Sequence, residues 1–253
     1  MQPNDRNSTA KNIFYALAGL GGISLIILIH EAGHLLFAKL FDVSAPVFSV
    51  GFGPTLFAFP FRETIFKIGL FPLGGYVEVN PEQLAQQAYI PKMLILFGGI
   101  LFNVVFAYGV LLYYILRSSF AKAMADKQVF PSSALSSPQA IKQAASTLFT
   151  KQENNSSVLG PIGIIHMIGK SLTINPQLYW FVLAILSLNI GLLNILPLPF
   201  LDGGKMFLIT IEAIIGTTIS TNVVWFVSSI FLMLFVLFIT QVTMNDIKRL
   251  VRK

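Results

Sequence analysis

The residues best suited to chemistry are two histidines and a glutamate in the segment His30-Glu31-Ala32-Gly33-His34. On a helix, positions i and i+4 share one face, so the imidazoles of His30 and His34 can reach the same metal ion. Glu31 lies beside them and can accept a proton from a metal-bound water, whose pKa zinc lowers from about 15.7 to about 7. It could then pass that proton to a leaving amine. The spacing therefore predicts a zinc site for hydrolysis.

The apolar surroundings of this segment argue against an accidental pattern. The chain has only three histidines, and two of them fall in this apolar stretch together with a glutamate. Ionisable residues at membrane depth are rare and costly, and they usually mark a functional site. A functional cluster is therefore the favoured interpretation.

A catalytic zinc usually has three protein ligands and one position open to water, so two histidines require a third ligand. The candidates within apolar stretches are Asp202, Glu212 and His166. We favour Asp202 because Pro197 and Pro199 must distort or end the helix before it. A broken helix at membrane depth is tolerated only where it is buried in protein or lines a cavity. The alternative is that Asp202 is only the N-cap of the helix that follows.

The composition indicates a membrane protein. Of the 253 residues, 55% are hydrophobic and 11% are charged, whereas soluble domains carry about 25% charged residues. A helix needs roughly 20 apolar residues to cross the hydrocarbon core. Four stretches meet this requirement, at about residues 14–40, 93–116, 177–196 and 222–242. We expect a mainly α membrane protein with a core of four transmembrane helices, forming a single domain over residues 1–253.

Two connections between these spans differ in character. Residues 42–91 form a β-rich insert, with short strands predicted at residues 47–50, 55–61, 64–70 and 76–79 between glycines and prolines. The insert is apolar, so we expect it to be membrane-associated and to pair with itself, dip into the interface or line a cavity. Residues 117–158 form a hydrophilic loop, in which residues 138–149 could form one short amphipathic helix.

Cysteine and charge exclude other classes of protein. The chain contains no cysteine, which rules out disulfides and thiolate metal sites. The net charge of +6 comes from Lys and Arg in loops and near the C-terminus. This pattern is typical of contact with anionic lipid, so we expect the lipid bilayer as a partner and no nucleic acid.

Taken in order, these motifs resemble those of the site-2 protease family of intramembrane zinc metalloproteases. His30 to His34 is similar to the family's His-Glu-x-x-His, and Asn194 to Gly204 is similar to its Asn-x-x-Pro-x-Pro-x-Leu-Asp-Gly signature. Four further segments are similar to its β region and to its second and third core spans: residues 51–54, residues 71–77, Gly98-Gly99 with Asn103, and residues 160–163.

The resemblance implies an intramembrane endopeptidase that cuts peptide bonds within or near transmembrane segments of membrane proteins. It implies one zinc ion on His30, His34 and Asp202, with Glu31 as the general base. It also implies that substrate is bound by Asn194, Asn189, Pro197, Pro199, Gly74 and Gly75. Asn189 could instead make only an interhelical hydrogen bond, while the two prolines would shape the site.

The β-rich insert suggests how a substrate could be held. An extended substrate could add a strand to residues 47–79, with main-chain hydrogen bonds supplying affinity. The alternative is that the insert only plugs the bilayer surface around the site. Many family members carry a PDZ domain between the second and third spans, where this chain has only residues 117–158, so this is a compact member without a PDZ domain.

The membrane orientation is predicted differently by two arguments. The family implies a bacterial inner membrane, an active site near the cytosolic face and termini outside. The positive-inside rule predicts instead that both termini lie in the cytoplasm, because fewer basic residues lie on the opposite side of the membrane. The basic residues on that opposite side are Lys39, Arg62, Lys67, Lys92 and Lys205. We adopt the family orientation, and the oligomeric state stays open.

Two other functions remain alternatives to a protease. A non-enzymatic membrane metal carrier would be expected to have further ionisable residues along a path through the helices. An inactive binding scaffold would not need Glu31. A differently folded membrane metalloprotease would need Glu212 as its third ligand, and Glu212 lacks the proline framing of Asp202.

Overall fold

The computed structural model describes residues 4–125 and 160–251. The helix predicted at residues 138–149 lies outside these ranges, as does most of the 117–158 loop. The elements in chain order are α1 (Asn4–Leu40), β1 (Val47–Phe61), β2 (Thr64–Glu78), α2 (Pro81–Gln86), α3 (Tyr89–Ala125), α4 (Pro161–Ile174), α5 (Pro176–Ile195), α6 (Asp202–Ile215) and α7 (Thr221–Val251).

Four of the described helices are long and apolar enough to cross a membrane. They contain the stretches Thr9–Leu40 in α1, Tyr89–Arg117 in α3, Pro176–Ile195 in α5 and Thr221–Asn245 in α7. Each stretch matches one predicted span to within a few residues at each end. The prediction of a mainly α chain with four such helices is therefore confirmed.

Helices α1, α3, α4 and α5 form the packed part of the molecule. Ile26 of α1, Ile168 of α4 and Leu183 of α5 are fully buried against one another. A Cβ atom added to Gly33 of α1 would collide with the carbonyl of Gly98 on α3. Small residues let neighbouring membrane helices approach backbone to backbone, and this close approach sets the register of α1 against α3.

Helix α4 was not predicted as an element of its own. Its N-cap is Gly160, and Pro161 occupies the first turn, where the missing N–H of proline would be unpaired in any case. The helix has 14 residues, which is too short to cross a bilayer alone. It packs between α1 and α5 instead.

The β-rich insert folds on itself as a sheet of two long strands. The four predicted strands merge pairwise into β1 and β2, which pair antiparallel from the turn between Phe61 and Thr64. Val47 is paired with both Ile65 and Glu78, so the beginning of β1 lies between the two ends of β2. This arrangement satisfies backbone groups that would be costly to leave unpaired next to lipid.

Candidate active site

The three predicted metal ligands lie together. His30 and His34 are one turn apart on α1, and Asp202 is the first residue of α6. Asp202 Oδ2 lies 3.0 Å from His30 Nε2 and 3.1 Å from His34 Nε2, and the two Nε2 atoms are 3.2 Å apart. All three residues are buried, with 7–8% of their surface exposed.

The geometry of this cluster fits a zinc ion. Zinc bonds to histidine nitrogen and carboxylate oxygen at about 2.0–2.1 Å, and a tetrahedron with such bonds has edges of about 3.3 Å. The separations of 3.0–3.2 Å between the three atoms are close to such edges. Two imidazoles and one carboxylate also form an accepted catalytic donor set with a fourth position left for water.

Asp202 does not cap its helix. The N-cap of α6 is Leu201, which makes no side-chain capping bond, and Asp202 is the first helical residue. The interpretation of Asp202 as an N-cap is therefore wrong. The prolines act as predicted, because α5 ends at Ile195 and the chain turns through them before α6 begins.

The charge of Asp202 is stabilised by its neighbours. Burial raises the pKa of the Asp202 carboxyl, but hydrogen bonds to His30 and His34 lower it further than burial raises it. Lys205 Nζ, 3.4 Å from Asp202 Oδ1, acts in the same direction. The pKa of this carboxyl therefore lies below its usual range, and the group is a carboxylate ready to bind a cation.

Each of the two imidazoles makes one polar contact with α3. His34 Nδ1 lies 2.8 Å from the carbonyl oxygen of Ile95, and His30 Nδ1 lies 3.2 Å from the side-chain amide nitrogen of Asn103. A Cβ atom on Gly99 would lie 2.5 Å from His34 Nε2 and 2.6 Å from His30 Nε2. A glycine is thus needed at position 99 to leave room for both rings.

Glu31 is tied to the β-rich insert. Its Oε2 accepts a hydrogen bond of 3.0 Å from the backbone N–H of Val77 on β2. A Cβ atom on Gly75 would be 3.5 Å from Glu31 Cγ and only 2.9 Å from a methyl group of Ile27. The strand and α1 are therefore in close contact beside the glutamate. Sequence reasoning missed Val77, since its contribution is a backbone group.

A cavity of about 820 Å³ opens beside these residues. His30, Glu31, His34 and Asp202 all line it, together with residues from β2, α5 and α7. Of the predicted substrate-binding residues, Gly74, Gly75 and Asn194 line this cavity. Asn189, Pro197 and Pro199 are not part of its wall; Asn189 and Pro197 are exposed, and Pro199 is half-buried.

The other candidate ligands lie elsewhere. The His166 ring makes an edge-to-face contact with Tyr15, with the ring centroids 5.2 Å apart. Glu212 Oε1 accepts a hydrogen bond of 2.9 Å from the backbone N–H of Ile219. Within the described ranges, the group of His, Asp and Glu side chains close enough to share a metal ion contains neither residue.

Several bacterial proteins are similar in sequence to this chain. A protein of Borreliella burgdorferi is 36% identical over 117 residues, which cover 39% of this chain and 27% of the relative. A protein of Fusobacterium nucleatum is 23% identical over 341 aligned positions, covering 90% of this chain and 97% of the relative. A protein of Clostridium perfringens is 24% identical over 331 positions, covering 92% and 98%. Each carries the provisional name of zinc metalloprotease.

The lengths of these relatives limit what can be carried over. The aligned segments cover only between 19% and 33% of the length of three such relatives, which come from Borreliella burgdorferi, Thermotoga maritima and Helicobacter pylori. The alignment with the Fusobacterium nucleatum protein is longer than the 253 residues of the chain, so that relative contains sequence without a counterpart here. An activity that these relatives have as whole proteins is therefore only proposed for this chain.

A match to a family model covers most of the chain. The model is described as peptidase family M50 and matches residues 18–238. These residues include the histidine pair on α1, the glycines of α3 and the proline-framed aspartate. The chain therefore belongs to peptidase family M50.

Proposed function

We propose that this protein is a zinc-dependent intramembrane endopeptidase, which hydrolyses peptide bonds within or near transmembrane segments of other membrane proteins. One observation carries the proposal: His30, His34 and Asp202 offer three ligand atoms to one point in a cavity that Glu31 also lines. Family membership and four apolar helices support the same function.

The ligands and the glutamate have distinct roles in this proposal. His30, His34 and Asp202 hold the metal ion. When bound, zinc acts as a Lewis acid, which polarises a peptide carbonyl and lowers the pKa of water. Glu31 takes a proton from the attacking water and delivers it to the leaving amine nitrogen. The hydrogen bond from Val77 N–H fixes one carboxylate oxygen of this glutamate, which lines the cavity.

An extended substrate fits the wall of the cavity formed by β2. A helical segment hides its peptide bonds, so it must unwind before hydrolysis. The unwound segment would add a strand along Gly74 and Gly75, which carry no side chains that could block its approach. Asn194 lines the same cavity, and its amide nitrogen donates to the Ile190 carbonyl. Transferring this hydrogen bond to the substrate carbonyl would stabilise the charge that develops there.

Separate substitutions of the base and of a ligand test the proposal. We would reconstitute the Glu31→Gln and Asp202→Asn variants with a set of single-span membrane peptides, then measure cleavage by mass spectrometry and zinc per chain by metal analysis. Glu31→Gln should keep its zinc and lose cleavage at least about 1,000-fold, because the proton acceptor is gone. Asp202→Asn should lose most of its zinc along with its cleavage.

Glu63→Gln is the matched control, because the side chain of Glu63 is 81% exposed on the turn between β1 and β2. It should match the wild type in both measurements. Cleavage that survives in Glu31→Gln would refute the protease. Zinc binding without any cleavage by the wild type would favour the metal carrier or the scaffold.

The same proposal includes a membrane orientation. The metal cluster lies six to ten residues before Leu40, the last residue of α1, which is about 9–15 Å along the helix. We propose that this end faces the cytosol of a bacterium and that the termini lie outside. The chain has no native cysteine, so Leu135→Cys and Glu63→Cys can each be labelled with an impermeant reagent applied from outside. Labelling of position 135 alone fits the proposal, and labelling of position 63 alone reverses it.

A further inference from the structure

We infer that Asn103 is a positioning residue for the metal centre: its side-chain oxygen holds a proton on His30 Nδ1 and thereby leaves His30 Nε2 free to bind the metal. This inference rests on the proposed function, since it assigns a role toward the ion that His30, His34 and Asp202 would hold. The two imidazoles differ in the group that holds their second nitrogen.

The orientation of His34 is set by the main chain. A neutral imidazole carries its proton on one nitrogen and a lone pair on the other. His34 Nδ1 lies 2.8 Å from the Ile95 carbonyl oxygen, which can only accept. In the neutral ring that binds a metal, the proton therefore sits on Nδ1, and the lone pair of Nε2 faces the metal position.

The orientation of His30 is set by a side chain instead. Asn103 is completely buried, and its amide nitrogen lies 3.2 Å from His30 Nδ1. In this arrangement the amide donates to Nδ1, the proton moves to Nε2, and Nε2–H donates to Asp202 Oδ2 at 3.0 Å. That pattern closes a hydrogen-bonded network without a metal, but it blocks Nε2 as a ligand.

A half-turn of the amide produces the arrangement that binds metal. The oxygen then faces Nδ1 and accepts its proton, and Nε2 regains its lone pair. Asn103 Oδ1 is buried and has no hydrogen-bond partner in the described part of the chain, so the rotation breaks no hydrogen bond of this atom. The backbone stays anchored, because Ser187 Oγ donates to the Asn103 carbonyl oxygen at 3.1 Å.

The nature of the contact predicts which replacements are tolerated. Groups that hold the second nitrogen of a metal-bound histidine typically change metal affinity by about 10- to 100-fold. Asn103→Leu and Asn103→Ala remove the acceptor, so we expect each to weaken zinc binding by about 10- to 100-fold. Asn103→Asp keeps an acceptor next to Nδ1, and carboxylates are common partners of metal-bound histidines. We expect its affinity to equal or exceed that of the wild type.

The experiment measures zinc affinity by competition with a chelator, using the full chain stripped of metal in detergent. Ser171→Ala is the matched control, because Ser171 is equally buried and loses its hydrogen bond to the Ile168 carbonyl oxygen, which involves neither an imidazole nor Asn103. It should stay within about twofold of the wild type. Chromatography and thermal unfolding of the metal-free proteins identify variants that fail to fold.

Each outcome decides between the hypotheses. A wild type that binds no zinc refutes the proposed function itself, whatever the variants do. If the wild type binds zinc, equal affinity in Asn103→Leu or Asn103→Ala overturns the inference. A loss in Asn103→Asp as large as in Asn103→Leu also overturns it, since acceptor chemistry would then be irrelevant. If both apolar variants fail to fold, Asn103→Asp decides alone: affinity at or above wild type supports the role, and a tenfold loss contradicts it.

Discussion

The cavity has two walls that are built in opposite ways. On the side of α1 and α3, Gly33 meets the backbone of Gly98, and Gly99 fits directly against the imidazoles of His30 and His34. On the side of α7, no residue of the stretch 221–245 is buried. There α7 reaches the site through the ring of Phe235, which contacts Phe200 with centroids 5.2 Å apart.

The two walls match two different requirements of the proposed enzyme, whose substrates would be embedded in the membrane. Metal ligands must be held within about 0.5 Å of a productive geometry, which requires locked and well-packed neighbours. A substrate helix needs a wall that can move or exchange contacts, and regions with few buried contacts open at low cost. Changes on the packed wall should therefore alter zinc binding or stability, whereas changes on the open wall should alter cleavage alone.

The largest effect is expected from Gly99→Val. The new Cβ would lie only 2.5–2.6 Å from the Nε2 atoms of both imidazoles and would clash with them. At least one ring must therefore move away from the metal. We expect zinc affinity to fall at least about 100-fold, because loss of a group that only orients a metal-bound ligand already costs about 10- to 100-fold. Gly109→Val is the control on the same helix, since nothing lies within 4 Å of its Cβ position. Equal zinc content in both variants would show that the α1–α3 contact does not shape the site.

The next effect is expected from Asn194→Ala, and it is a loss of turnover without a loss of zinc. The Asn194 amide lines the cavity on α5, and loss of one donor to a developing oxyanion typically lowers turnover by about 100- to 1,000-fold. Zinc content should not change. The parallel variant Asn189→Ala tests the other predicted amide, which is exposed and outside the cavity wall; its turnover should stay within about threefold of the wild type. Similar losses in both would assign a substrate contact to Asn189 as well.

The sequence predicts the metal cluster well because its geometry is mostly local. The spacing of His30 and His34 within one helix fixes their common face. The prolines before Asp202 end the preceding helix wherever it packs. The four apolar helices are equally predictable, because length and hydropathy decide them. These features need no knowledge of how one helix lies against another.

The contacts that sequence reasoning missed depend on how the elements pack against one another: Gly99 and Asn103 were singled out as part of a motif, but not their place beside the imidazoles. Gly99 and Asn103 meet the imidazoles only because α1 and α3 pack at one particular height. The Val77 N–H that holds Glu31 is a backbone group, which carries no side-chain signal. The capping alternative for Asp202 is excluded in the same way, because Asp202 is the first helical residue of α6 and its carboxylate lies 3.0–3.1 Å from both imidazoles. Tertiary contacts decided each of these positions.

A moderate effect on stability is expected from Gly33→Ala. The added methyl group would collide with the Gly98 carbonyl, and overpacking of a well-packed contact costs about 2 kcal/mol. Thermal or denaturant unfolding of the metal-free chain in detergent measures this change. Gly21→Ala is the control on the same helix, because its Cβ position has no atom within 4 Å. If both variants have the same stability against unfolding, the backbones of α1 and α3 are not in tight contact at Gly33 and Gly98.

The smallest effect is expected from Phe235→Ala, on the open wall. The Phe200–Phe235 ring contact is the kind of pair that contributes about 0.5–1.5 kcal/mol, so its loss should change kcat/KM by about 2- to 10-fold. Zinc affinity should not change, because neither ring offers an atom that could bind the metal. Phe238→Ala removes a similarly exposed ring of α7 that is not part of the cavity wall, and it should behave as wild type. If Phe235→Ala instead lowered zinc affinity, the two walls would be coupled, and the open wall would share the structural role assigned to α3.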